Sequence, residues 1–296
     1  MKSILAKNKY LLAGLPAIGA TILAGAFLSP QAEAGPAPMM ETPAPAPTWK
    51  WGISADYMWR DVDRTEDYWS GDELWTVDYD DFSGDLWGGT IFVTPPCFWD
   101  IMIDFSYRTG DLNGDFENRS LEPVNGGSVS PGFDGPYEGH ADFDRDEYVV
   151  GLTYPFPSLD WLYARLEYFN FQEDGDWNYD DGDVESQEYT LWGITGGLGA
   201  RYAYPLGSSG AMLDLNAFLG LVYFDFEHEE TDDGGATTDW DDWGFLGRVG
   251  ARVSYPIQTN LDVFLGCGYE YIDTDSDGLD MTTQGVFVNL GLKGEF

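Results

Sequence analysis

Basic residues are scarce in this chain. It carries 14 Lys and Arg against 52 Asp and Glu over 296 residues, a formal charge of -38 at pH 7. A polyanion of this kind repels phosphate backbones, so nucleic acid is excluded as a partner, while cations are concentrated near its surface. There are 2 histidines and 2 cysteines, with no C-x-x-C and no Cys/His spacing of a zinc site. Cys97 falls in an expected turn and Cys267 in mid-strand, so both are read as unpaired thiols. No G-x-S-x-G or H-E-x-x-H occurs. No apolar run of helical membrane length follows Leu28. Any later membrane span must therefore be built of strands closed on themselves, because lipid leaves no partner for an unpaired backbone group.

The chain opens with Lys2, Lys7 and Lys9, an apolar run from Tyr10 to Leu28, and the small-x-small site Ala32-Glu33-Ala34. These are the parts of a secretory signal peptide, expected over residues 1–34 with cleavage after Ala34. Residues 35–47 are rich in Ala and Pro and read as an extended periplasmic linker. From residue 48 to 296 the texture is uniform, which predicts one domain.

That texture is alternation with period two. In Trp49–Arg60, Trp51, Ile53, Ala55, Tyr57 and Trp59 alternate with Gly52, Ser54, Asp56, Met58 and Arg60. In Trp99–Arg108, Ile101, Ile103, Phe105 and Tyr107 alternate with Asp100, Met102, Asp104, Ser106 and Arg108. Ten such segments are found, the others near 87–94, 148–154, 162–171, 189–204, 212–221, 243–255, 261–270 and 286–293. Short connections marked by proline (Pro95-Pro96, Pro155-Phe156-Pro157, Pro205, Pro256) alternate with long acidic ones near 61–84, 109–146, 172–188, 225–242 and 273–281. The long connections hold 39 of the 52 acidic residues. A soluble β-sandwich would bury its aromatics against a second sheet and show no such sidedness. The expected fold is all-β: a closed antiparallel transmembrane β-barrel of about ten strands in the bacterial outer membrane. Its short turns are periplasmic and its long acidic loops extracellular.

The parity also sorts the charges. Lys50, Arg60, Arg108, Arg165, Arg201, Arg248, Arg252 and Lys293 share the lumen face with Asp56, Asp104, Glu167, Asp214, Asp262 and Glu270. An Arg or Lys facing lipid costs about 2–4 kcal/mol at the bilayer midplane. Inside, opposite charges pair, so a cross-barrel network of ion pairs is expected. Gly193, Gly197, Gly199, Phe218, Phe264 and Phe287 crowd the same face and predict a plugged bore rather than an open one. Outward aromatics gather near strand ends, at the headgroup level.

Asp273-Thr274-Asp275-Ser276-Asp277-Gly278 reads as the first half of a calcium loop. The twelfth position is Gln284 rather than a bidentate Glu, so an EF-hand is not supported. What is left is a weaker site for Ca2+ or another divalent cation on Asp273, Asp275 and Asp277, or a plain solvated acidic turn. No other cofactor is indicated.

The chain resembles bacterial outer-membrane β-barrel proteins from Trp49 to Phe296. The resemblance implies that the last strand, with Val288, Leu290, Leu292 and Phe296, is read by the barrel-assembly machinery; Gly294 departs from the pattern. Among ten-stranded barrels, the omptin surface proteases use an Asp-His pair and an acidic pair at the rim. His228 near Asp225 is similar in place, but Phe226 stands two residues before it, where an acid would be needed. The other histidine, His140, lies near Asp142 and Asp144. The expected role is a non-catalytic structural or surface-binding protein whose partners are outer-membrane lipid and divalent cations. A narrow cation-preferring channel is the alternative, and an omptin-like protease a more distant one.

Overall fold

The computed structural model describes residues 49–70, 73–96, 100–121, 137–180, 182–230, 236–274 and 279–296. Ten strands form one closed antiparallel barrel: β1 (Lys50–Ser70), β2 (Glu73–Thr94), β3 (Met102–Leu121), β4 (Tyr137–Phe156), β5 (Leu159–Tyr179), β6 (Val184–Pro205), β7 (Met212–Glu230), β8 (Ala236–Gln258), β9 (Leu261–Thr274) and β10 (Leu279–Glu295). Neighbours in sequence are neighbours in space, and β1 closes on β10 from Gly52↔Glu295 to Tyr68↔Leu279. The carboxy-terminal residue finishes this seam. Trp51 and Phe296 exchange backbone hydrogen bonds of 3.1 and 2.8 Å, and their rings stack at 4.6 Å between centroids.

Alternation decides which way each side chain points. The outward face carries an exposed apolar belt: Ile53, Ile91, Phe105, Leu152, Leu166, Leu198, Leu221, Leu265 and Leu290 among others. Above it lies a girdle of Tyr57, Trp87, Tyr107, Tyr148, Tyr168, Trp192, Tyr223 and Trp243. Several of these phenols donate to carboxylates: Tyr107 to Asp146 at 2.8 Å and Tyr223 to Asp241 at 3.0 Å. An amphipathic ring with its hydroxyl bonded on the water side suits a membrane interface.

The alternation in the sequence predicts strands that end at this girdle, with long loops beyond it. The ladders instead continue well past it, to Ser70, Leu121, Tyr179, Glu230 and Thr274 on the odd-numbered strands. The acidic stretches are therefore mostly hairpins that prolong the barrel. The physical reason is inside. Beyond the girdle the inward positions are filled by Val77, Tyr79, Phe82, Leu112, Phe116, Phe143, Trp177, Tyr189, Phe224 and Phe226, all nearly inaccessible. A cylinder with a packed core gains from continued pairing where a hollow one would fray. In β2 the register against β3 shifts between Asp80 and Ser83, a bulge that brings both Tyr79 and Phe82 inward across a change of parity.

Candidate functional site

The bore is layered from the proline-turn end outward. The first layer is a vestibule of about 860 Å³, walled by Tyr163, Arg201, Asp214, Asn216, Arg252, Asp262, Phe264 and Lys293 among others. Arg252 and Asp214 are 3.5 Å apart across β7 and β8, and Arg252 also lies over the Phe264 ring. Lys293 pairs with Glu295.

A layer of ion pairs forms its ceiling. Arg165 on β5 holds Asp104 on β3 at 2.7 and 2.8 Å and Glu167 at 2.7 Å. Arg248 on β8 reaches Glu167 at 2.5 Å and also pairs with Glu270. Arg108 binds Asp56 at 3.2 Å. Three of these contacts, Arg165–Asp104, Arg248–Glu167 and Arg108–Asp56, join strands that are not neighbours, so they tie the wall together across the bore. Gly151 makes one possible. It lies between Asp104 and Glu167 in register, and a Cβ there would strike the Arg165 guanidinium.

A second cluster lies past the girdle. Arg60 binds Glu147 at 2.8 Å; Arg145 binds Glu147 at 2.9 Å and also Glu173; Arg64 binds Glu173 at 2.7 Å and also Glu66. Arg64 is 5.4, 5.3 and 5.7 Å from the ring centres of Tyr79, Tyr189 and Phe226, so its charge is shared between carboxylates and π faces. Burial pushes the Glu173 carboxyl up, but Arg64 and Arg145 outweigh it and hold it below its ordinary value. For Glu66 burial wins and its pKa is raised, against the pull of Arg64. Between this cluster and the aromatic core a void of only about 50 Å³ is left. Among the described residues the buried aromatic core lies beyond it.

The outside of the hairpins is acidic in a regular way. Asp85, Asp111, Asp144, Asp174 and Glu188 stand directly opposite one another on β2 to β6, and all five are exposed. The Asp144 carboxyl faces that of Asp111, and the two can share a hydrogen bond only when one of them is protonated. This bond, then slight burial, then repulsion by Asp111, Asp174 and Asp146 raise its pKa. Nearer the rim, His140 faces outward with Nδ1 3.1 Å from Asp115 and Nε2 3.6 Å from Asp142.

Of the residues assigned to the lumen from sequence, Asp56, Arg60, Asp104, Arg108, Arg165, Glu167, Asp214, Arg248, Arg252, Glu270 and Lys293 are ion-paired in the bore. Lys50, Arg201 and Asp262 enter no ion pair among the described residues. Glu66, Arg64, Arg145, Glu147 and Glu173 were missed, because they fell in or beside stretches read as loops. Extending the same parity from Arg60 through Val62 to Arg64 and Glu66 would have found the β1 members. Asp273 lies on β9, where its carboxylate accepts from the Thr282 hydroxyl at 3.0 Å. Asp275, Asp277 and Cys97 lie outside the described residues, as does the side chain of His228. Among the described residues no group of three or more His, Cys, Asp or Glu is arranged to hold a metal ion. Cys267 is free and exposed on the apolar belt.

This architecture is the fold of the bacterial outer-membrane β-barrel proteins. Among solved structures, the outer membrane protease OmpT from Escherichia coli superposes with a TM-score of 0.54 at 12% identity, over 83% of this chain and 97% of that one. The translocator domain of the autotransporter NalP from Neisseria meningitidis gives 0.35 at 12% identity, over 95% and 97%. The outer membrane protein OprG from Pseudomonas aeruginosa gives 0.33 at 13% identity, over 83% and 95%. At this identity the likeness to OmpT concerns the fold alone, and the other two overlap too loosely to bear on this chain. No sequence-family model and no curated protein matches it.

Proposed function

We propose that this chain is a non-catalytic barrel of the bacterial outer membrane, exported by its amino-terminal signal peptide, that works at the cell surface through the acidic exterior of its prolonged hairpins. The filled bore carries this reading. Among the described residues two layers of ion pairs and an aromatic core occupy the cross-section, and a void between the second layer and the core is about 50 Å³. A diffusive channel needs a continuous aqueous path. The barrel therefore serves as a rigid pedestal. What it presents is the carboxylate row over the girdle, at the height of the lipid headgroups. Such a row attracts divalent cations as a diffuse counter-charge and through them the phosphates of outer-leaflet lipid.

The test is single-channel recording in planar bilayers, paired with thermal unfolding in detergent with Ca2+ and with EDTA. The expected outcome is no steps of porin size and a higher melting temperature with Ca2+. Regular conductance steps in the wild-type protein would refute it.

The likeness in fold to OmpT, together with His140 between Asp115 and Asp142, supports one second reading, a surface protease. It requires that peptide cleavage by the purified barrel be lost in His140→Ala or His228→Ala.

A further inference from the structure

The vestibule at the proline-turn end is a large cavity in the bore, and its charges are not all matched. Arg165 is held by Asp104 and Glu167, and Arg252 by Asp214. Lys293, although opposite Asp262 in register, pairs with Glu295 and lies 5.2 Å from the centre of the Phe92 ring. Three charges are thus left open on the wall: Asp160 on β5, and the opposite charges Arg201 on β6 and Asp262 on β9. None of the three makes an ion pair or a side-chain hydrogen bond among the described residues. Arg201 is exposed to the cavity and stands opposite the exposed amide of Asn216. Tyr163 adds half-buried ring surface to the same cavity, while Phe264 is nearly buried beneath Arg252. Its volume of about 860 Å³ falls in the range of small-molecule sites.

We infer that this vestibule is a binding site for a zwitterion of the size of a short peptide, entering from the proline-turn end. Its carboxylate is taken by Arg201 with the Asn216 amide, its ammonium by Asp262, and its apolar side chain rests on Tyr163. A guanidinium presents a forked pair of donors to a carboxylate. A solute with only one of the two charges leaves the other wall charge unmatched. This site is independent of the surface role, because the ceiling separates the vestibule from the hairpins.

The test is equilibrium dialysis of the full mature barrel in detergent micelles against the dipeptide alanyl-phenylalanine, with protein-free micelles as the blank. Saturable one-to-one binding is expected. N-acetylation of the dipeptide, amidation of its carboxyl, Arg201→Gln and Asp262→Asn are each expected to weaken it at least tenfold. Arg201→Gln should no longer respond to amidation, nor Asp262→Asn to acetylation. Heat-modifiable gel mobility verifies that both variants are folded. Absence of saturable binding to the wild type overturns the inference. So does binding that the capped dipeptides or the folded variants retain in full. A conducting barrel would refute the plugged surface protein while leaving this outcome to be read separately.

Discussion

Arg64 and Glu173 stand 109 positions apart in the chain and 2.7 Å apart in the barrel, joining β1 to β5 across the bore. Removing one partner of a buried pair leaves the other charge uncompensated, at about 3–5 kcal/mol. Glu173→Gln strips both Arg64 and Arg145 of their shared carboxylate. A loss of about that size is expected at pH 7, read as the urea midpoint of tryptophan fluorescence in micelles. Because the folded Glu173 pKa is depressed, its contribution is complete above the ordinary value of 4.5 and is lost as pH falls through the folded value. The gap between wild type and variant should therefore narrow in acid. A gap that is constant down to acid denaturation would show that the charge is not what stabilises.

Gly151 sits in the path of the Arg165–Asp104 pair. Gly151→Val puts a branched side chain where the guanidinium now crosses β4. The expected cost is about 2–4 kcal/mol, part overpacking and part loss of a buried pair. Gly89→Ala, on the outward face, is a poor control, because its added Cβ meets the Ser54 carbonyl. Gly196→Ala is the better one, since its Cβ meets only the far end of Leu166 at 3.8 Å. Unfolding midpoints of the two variants should differ clearly. Equal midpoints would deny the pair any structural weight.

Asp144 is the carboxylate of the outer row with a raised pKa. Ionisation of such a group opposes folding, and the penalty sets in as pH rises above the ordinary value of 3.8. Asp144→Asn should thus stabilise the barrel at pH 7 by about a few tenths of a kcal/mol at low ionic strength. The gain should fade in high salt and disappear in acid. A destabilised variant at pH 7 and low salt would mean that the row is held together by something other than its counter-ions.

Two layers of ion pairs and an aromatic core close the bore. Arg165→Ala with Arg248→Ala removes most of the first layer, but the second layer and the aromatic core are left, so planar bilayers should record no conductance. Adding Arg64→Ala and Arg145→Ala in the second layer, with Phe82→Ala and Phe226→Ala, each Phe now about 1% exposed, opens the outer half. Each Phe truncation costs about 3–5 kcal/mol, so the combined variant is best studied in lipid. Steps are expected only in that combination. Conductance from the first pair alone would reassign the seal to the charges.

Much of this was legible along the chain. The alternation in Ile53–Trp59 or Val286–Leu292 is local, and so is the proline at the end of each short connection. The hidden part began where alternation meets a bulge. Tyr79 and Phe82 are three residues apart, so no single parity places both inside; the register shift in β2 does. The acidic stretches misled for a related reason. In Gln172–Glu188 the carboxylates dominate the composition, while Glu173, Trp177 and Tyr189 just beyond face a core that other strands complete.

By itself the sequence determined the class of fold, the faces of the strands and the sign of the exterior, because each of these arises from side chains a few residues apart. Only the closed barrel decided which charges meet. Arg64 reaches Glu173, Arg165 reaches Asp104, and Arg201 and Asp262 are left over, because partners across a bore are chosen by the stagger of ten registers closing on one another. That stagger is a property of the whole cylinder, and no single strand contains it.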